Sequence, residues 1–254
     1  MKVFDHYARY YDLLYRDKDY RGEADFIIEQ VRAHAPGARS ILELGCGTGI
    51  HAQLIAEAGY AVHGIDFSEA MLASAQARRA GLAPELQGRL DFSQGDVRAF
   101  RSGRTYDVVI SLFHVFSYQT RNADLQAAFA TAAEHLAPGG VLVFDYWYGP
   151  AVLAQRPETR VKRLSDGDLS VLRIAESSLD DMASTVDVNY ETTVSVGETR
   201  EVIRETHRMR YLFIPEIELL AAQFGFEPVV HQAWMEQGKP SSASWGAFSV
   251  LRKR

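Results

Sequence analysis

Glu43-Leu44-Gly45-Cys46-Gly47-Thr48-Gly49 brings together the residue types best suited to chemistry in this chain. It follows a short apolar run, Ser40-Ile41-Leu42, and opens a helical pattern from Ile50 to Glu57. A glycine-rich turn from a strand into a helix lets backbone come close to a nucleoside ligand, because no Cβ stands in the way. The dinucleotide fingerprint is Gly-x-Gly-x-x-Gly, in which the helix start cradles a pyrophosphate. Here Gly49 comes one residue early, and the carboxylate of Glu43 stands two positions before Gly45. A carboxylate at that point repels a phosphate and attracts a cation such as a sulfonium or an amino group. A second acid, Asp66, ends the apolar run Ala61-Val62-His63-Gly64-Ile65. Open α/β sheets place an acid about 20 residues past the glycine turn, where it holds ribose hydroxyls.

These groups need a sheet to hold them. After the first two strands, Ser68 is a plausible N-cap for a helix over Glu69–Ala75. Leu90–Gln94 reads as a third strand and Tyr106–Phe113 as a fourth. A turn at Pro138-Gly139-Gly140 then leads into a fifth, ending at Asp145. Strands alternating with helices predict a mainly parallel sheet covered on both faces. Glu227–His231 and Ser244–Leu251, joined by a loop over Gln237–Ser242, read as the last, hairpin-connected strands. Ahead of the sheet, a helix from Gly22 to Ala35 ends at Pro36-Gly37.

The chain has 254 residues, enough for one large α/β domain. Its net charge is −6 and it has no long basic run, which argues against a nucleic-acid substrate. The single cysteine, Cys46, excludes an intrachain disulfide. It reads as a small residue packed where the backbone turns, since the sequence places no His or Asp beside it. No apolar stretch reaches the length of a membrane span, and Met1-Lys2-Val3-Phe4-Asp5 lacks a signal-peptide pattern. The expectation is a cytoplasmic protein without membrane association.

Residues 151–212 go beyond a minimal domain of this kind. Thr159–Leu164, Asp168–Ile174, Thr185–Val194 and Arg200–Phe213 each suit antiparallel strands with one wet face, and turns stand at Asp166-Gly167 and Gly197-Glu198. Such an inserted sheet either caps a site or builds a homodimer interface, and the expectation leans to a dimer. Within it, Glu205 and His207 share a face and invite a metal reading beside Arg208. A solvated or interfacial sheet face is expected instead, because no third ligand is apparent and no metal is predicted.

Taken in order, these motifs resemble the class I S-adenosylmethionine-dependent methyltransferases. The glycine turn is similar to that family's first motif, and Ile65-Asp66-Phe67-Ser68-Glu69-Ala70-Met71 to its second segment. The resemblance implies a Rossmann-like seven-stranded methyltransferase sheet and S-adenosyl-L-methionine as cofactor. It implies donor contacts from Glu43, Gly45, Cys46, Gly47 and Gly49, and from Asp66, Phe67 and Met71. Asp96 would meet the adenine amino group, Val97 would join it in the cofactor site, and Ser111 and Leu112 would lie where donor and substrate meet. The resemblance thus divides the chain into a helical lid at 1–39, a methyltransferase domain at 40–150 and 213–254, and the inserted sheet.

A narrower resemblance rests on the tyrosine-rich entry, Phe113–Tyr118, Trp147-Tyr148 and the β insertion. These are similar to the N-methyltransferases of nucleotide-linked amino deoxysugars. The resemblance implies a small-molecule amine substrate, and Tyr11-Asp12-Leu13-Leu14-Tyr15 is similar to the subgroup's lid, with Tyr11 touching donor and substrate. The amine must attack as a free base, so His114 or Tyr118 would accept its proton or orient it. The subgroup can carry a histidine near the Tyr118 position, so this chain departs from it there. Trp147 would wall the site or serve packing. Transfer to oxygen or to another small metabolite is the alternative, followed by a non-catalytic partner subunit. Intact Glu43, Gly45, Gly47, Gly49 and Asp66 count against the latter.

Overall fold

The structure is a computed structural model that describes residues 14–254. Five parallel strands form one wing of the sheet: β1 (Ser40–Leu44), β2 (Ala61–Asp66), β3 (Leu90–Gln94), β4 (Tyr106–Ser111) and β5 (Leu136–Tyr148), in the order β3-β2-β1-β4-β5. The last two strands, β10 (Phe226–Ala233) and β11 (Gly246–Lys253), pair with each other, and β11 runs antiparallel against β5. Together these make the Rossmann-like seven-stranded sheet that the resemblance implies, open at a switch point between β1 and β4.

Both faces of the parallel wing are covered, so its strands are apolar on both sides. Ile41, Val62, Val108 and Val143 pack under α1 (Tyr20–His34) and α2 (Ile50–Glu57). Leu42, Leu44, Val109 and Phe144 pack against α5 (Asn122–His135) and α7 (Ile214–Gln223) on the other face. Between them in the chain lie α3 (Glu69–Ala80) and the short α4 (Pro84–Gln87). Asp19 caps α1 by accepting from Gly22 N at 2.8 Å, and Ser68 caps α3 by accepting from Met71 N at 3.3 Å.

Two strand ends differ from the sequence expectation. Strand β4 stops at Ser111, because Phe113 and His114 both take left-handed backbone (φ 63° and 64°) and turn the chain into a 3₁₀ helix, Val115–Tyr118. The Pro-Gly-Gly segment lies inside β5 rather than before it. Leu136 already pairs with Tyr106, and the register then jumps to Val108 against Val141, with the intervening residues displaced from the ladder.

After α6 (Gly149–Gln155), strands β6 (Arg160–Asp166), β7 (Leu169–Asp180), β8 (Thr185–Val196) and β9 (Thr199–Leu212) form an antiparallel meander. Its end, Tyr211-Leu212, pairs parallel with Trp147-Tyr148 of β5, which ties the insertion to the main sheet. The outer face carries polar cross-strand pairs such as Arg208 with Asp187 and Thr206 with Asn189. The inner face carries Ile203, Glu205, His207 and Met209 and turns toward the parallel strands' C-terminal ends. Among the described residues no helix is long and apolar enough to cross a membrane.

Candidate active site

A cavity of about 840 Å³ opens where the C-terminal ends of the parallel strands face the inserted sheet. One half is built by the glycine turn. A Cβ on Gly45 (φ +81°) would stand 2.6 Å from Val115, so the turn admits no side chain there. Gly47 (φ +55°) faces the cavity, with nothing within 4 Å of where its Cβ would be. Backbone is thus presented bare to a ligand. Asp66, at the end of β2, accepts from Gly47 N at 2.8 Å and from Ser68 N at 2.9 Å. Burial raises its pKa, against the lowering effect of these bonds.

Glu43 lies beneath the turn, 1% exposed and off the cavity lining, and its Oε2 has no hydrogen-bond partner. Burial and then the nearby Asp66 charge push its pKa up to about 8. An unpartnered buried carboxyl is costly, and a donor or cation brought by a ligand would relieve it. Bare glycine backbone, a ribose-type acid and a carboxyl lacking a donor fit S-adenosylmethionine.

The remaining expected donor residues divide into those that reach the cavity and those that support it. Gly45, Cys46, Gly47, Asp66, Phe67, Met71, Asp96, Val97 and Leu112 line it. Phe67 is 54% exposed at its rim. Asp96 is gripped by Arg98, whose Nε lies 2.9 Å from Oδ1 and whose side chain holds the carboxyl below its usual range. Ser111 is fully buried, donates to Leu44 O at 2.9 Å and does not line the cavity. Gly49 also lies off it, in left-handed backbone ahead of α2. Cys46 is buried and its thiol pKa is pushed well up by burial, which suits packing and not nucleophilic attack. Tyr11 lies outside the described residues.

The second half is built from distant segments. His114 and Tyr118 line it, as do Trp147, Tyr190 and His207. The His114 backbone N–H donates to Asp145 Oδ1 at 3.0 Å, and its Nδ1 lies 2.7 Å from Oδ2 without the alignment of a hydrogen bond. Two consecutive left-handed non-glycine residues are strained, and strain of this kind gathers at functional sites. Lys18 over the Phe113 ring (4.6 Å) and Tyr15 edge-on to it (5.0 Å) pack against this turn. Leu14, buried among Met71, Val171 and Val194, anchors the segment to both halves. A fully buried Leu contributes about 1.5–3 kcal/mol to such an anchor.

Arg160 and Lys162 alternate along β6, and Arg173 sits opposite Lys162 on β7, so three cations share the face that lines the cavity, where Glu158 also stands; Lys162 donates to Leu14 O and lies 3.7 Å from Asp17, and Arg173 Nη1 lies 3.4 Å from Tyr15 Oη. The guanidinium of Arg173 also lies 4.7 Å over the Tyr190 ring. Strand alternation already put Arg160 and Lys162 on one side; only the fold shows that this side meets the glycine turn. His207 was expected on a solvated or interfacial face. It is instead 4% exposed, with Tyr118 Oη 2.8 Å from its Nδ1, because the curled meander turns this face inward. Arg208 points the opposite way, to Asp187. Among the described residues no group of three or more His, Cys, Asp or Glu side chains could hold a metal ion.

A family profile described as a methyltransferase domain matches residues 41–140, the glycine turn through the start of β5. The dTDP-3-amino-3,4,6-trideoxy-alpha-D-glucopyranose N,N-dimethyltransferase of Streptomyces venezuelae is 36% identical over 220 residues, covering 86% of this chain and 88% of that one. The crystal structure of DesVI from Streptomyces venezuelae superposes with a TM-score of 0.80 at 27% identity, over 98% of both chains. The S-adenosylmethionine-bound structure of CalS10, an amino pentose methyltransferase from Micromonospora echinaspora, gives 0.77 at 26% identity, over 96% of both. With its cofactor turn, strand order and inserted sheet all matched, the chain belongs to the class I S-adenosylmethionine-dependent methyltransferases and resembles, among them, those that methylate nucleotide-linked amino sugars.

Proposed function

We propose that this enzyme methylates the amino group of a nucleotide-linked deoxysugar, up to the dimethylamine. One observation carries the reading: Arg160, Lys162 and Arg173 line the same cavity as the glycine turn. A small neutral amine needs no such cations, whereas a sugar carrying a diphosphate does, since guanidinium and ammonium groups pair with phosphate oxygens. The relatives' dimethylated amino sugars support the same class.

The bound cofactor supplies an electrophilic methyl group on a positively charged sulfur. The chain's own residues do the rest. Asp66 and the bare glycine backbone hold the nucleoside end, and Glu43 meets a donor there. The cations of β6 and β7 hold the diphosphate. Trp147, Tyr118 and Tyr190 close an apolar, water-poor space round the amine, and rate comes mainly from positioning two reactants within it. Aromatic faces also favour the positive charge that passes to nitrogen. Tyr118 and His114 are the polar groups available to orient the amine. The exposed Val161 and Val202, on one face of the insertion, support pairing into a homodimer, which a molar mass of one chain in solution would refute.

The test is incubation with S-adenosylmethionine and a panel of nucleotide-linked 3-amino and 4-amino deoxysugars, followed by product mass. A gain of one or two methyl groups on one member is expected. No gain, with donor binding intact, would discard the amino-sugar reading.

A further inference from the structure

A buried polar chain runs away from the substrate half of the cavity. Tyr118 Oη lies 2.8 Å from His207 Nδ1, and His207 Nε2 lies 3.7 Å from Glu205 Oε2. The His207 and Glu205 side chains are 4% and 7% exposed. Tyr118 and His207 line the cavity; Glu205 stands behind them. The His207 ring is braced edge-on by Tyr190, with centroids 4.9 Å apart. Such an array is too costly to bury without a fixed pattern of donors and acceptors.

The pattern follows from the neighbours. At 3.7 Å the Glu205 carboxylate makes no hydrogen bond to Nε2, but its charge favours the imidazole proton on Nε2, which leaves Nδ1 an acceptor. The Tyr118 hydroxyl then donates to Nδ1, on a side chain that lines the cavity. Burial holds the Tyr118 phenol well above its ordinary pKa, so it stays protonated. An oxygen presented this way accepts from an amine N–H and leaves the nitrogen lone pair for attack.

We propose that His207, backed by Glu205, is a positioning residue that makes the Tyr118 hydroxyl an acceptor for the substrate amine and takes the amine's proton through Tyr118 between successive methyl transfers. The inference rests on the amino-sugar reading above. After the first transfer the nitrogen is an ammonium and cannot attack again. In the proton transfer its N–H bond breaks, the proton passes to the Tyr118 oxygen, and the phenolic proton passes to His207 Nδ1. The amine recovers its lone pair, Tyr118 remains a neutral phenol, and His207 becomes an imidazolium beside Glu205, later losing the proton to water. Among the described residues, His207 is faced by Tyr118 from the turn after β4, Tyr190 from β8, Arg173 from β7 beyond the Tyr190 ring, and Glu205 on its own strand, with Tyr15 acting on Tyr118 and Tyr190. The Tyr190 phenol is pushed to about 12, so neither Tyr118 nor Tyr190 titrates near neutrality.

The full chain, labelled with ¹⁵N at histidine, is examined by NMR near pH 7 and assayed separately on the unmethylated and the monomethylated amino sugar. His207 is expected as the Nε2–H tautomer; a neutral ring with the proton on Nδ1 would overturn the arrangement. His207→Asn keeps a polar group toward Tyr118 but cannot carry a proton. It should bind S-adenosylmethionine normally and transfer the first methyl to free-base substrate, yet slow the second transfer at pH 7 on the order of 100-fold. The second rate should recover as pH rises past the pKa of the substrate amine. Glu205→Gln should shift the product ratio the same way by less. Variants that bind the cofactor and give the wild-type ratio of mono- to dimethylated product across pH would refute the proposal. Failure of the wild type to methylate any amino sugar would instead overturn the functional reading, and this inference with it.

Discussion

The two halves of the cavity are built on different principles. The donor half is mostly local: the glycine turn, Asp66 and the head of α3 follow one another in the chain across two neighbouring βα turns, and Asp96-Val97 and Leu112 join them from the ends of β3 and β4. Its main long-range bond, Gly47 N to Asp66, joins residues 19 apart. The substrate half is assembled from afar, since Tyr118 and His207 are 89 residues apart and Lys162 reaches back 148 residues to Leu14 O. The first half is therefore fixed by backbone conformation and the second by packing of an inserted sheet on a common scaffold. A donor site of the first kind tolerates little change, while a site of the second kind can change acceptor without disturbing the cofactor.

Substitutions in the two halves should separate cleanly, and the largest effect belongs to the turn. Gly45→Val adds a left-handed β-branched residue and a clash with Val115, so urea unfolding should show a loss of several kcal/mol and calorimetry no cofactor binding. Normal binding would break the view that bare backbone defines this half.

Glu43→Gln comes next and depends on pH. The buried carboxyl has a pKa of about 8 against 4.5 when free. Between these values the unfolded chain binds fewer protons than the folded one, so ligand-free stability falls as pH rises from about 4.5 to 8. The glutamine variant should lose that slope and be more stable at pH 8 by on the order of a few kcal/mol, while binding the cofactor more weakly. Parallel stability curves for the two proteins would refute this account of Glu43.

Asp66→Ala should weaken cofactor binding by about 1.5–3 kcal/mol, the worth of a hydrogen bond to a charged group, and leave nucleotide-sugar binding unchanged. Unchanged cofactor affinity would remove Asp66 from the ribose site. The smallest effect is expected at Arg173→Ala, which should raise the KM for the nucleotide sugar by about 1 kcal/mol in free energy and leave the cofactor Kd alone. The loss should shrink at high salt. An effect on cofactor binding in place of the sugar would blur the division between the halves.

The donor half was legible because its signals are local. Gly45, Gly47 and Asp66 are needed for backbone reasons that act over a few residues, and each lines the cavity. Ser111 and Gly49 show the limit of that reading. Both belong to the right motifs, yet Ser111 turns inward to Leu44 O and Gly49 only starts a helix. The inserted strands were legible from their alternation, but alternation does not say which face is wet. Arg208 and His207 are neighbours in sequence and opposite in fate.

The sequence by itself determined the element types, the glycine turn and the acid at the end of β2, because these follow from sterics and hydrogen bonding over short distances. Only the tertiary structure decided that the meander folds its His207 face over the strand ends, that Phe113 and His114 take left-handed backbone, and that Arg160, Lys162 and Arg173 line one cavity with the glycine turn. Those outcomes depend on how a long insertion packs against β5 and the Leu14 anchor. Such packing is settled by contacts among residues far apart in the chain, and no local pattern encodes it.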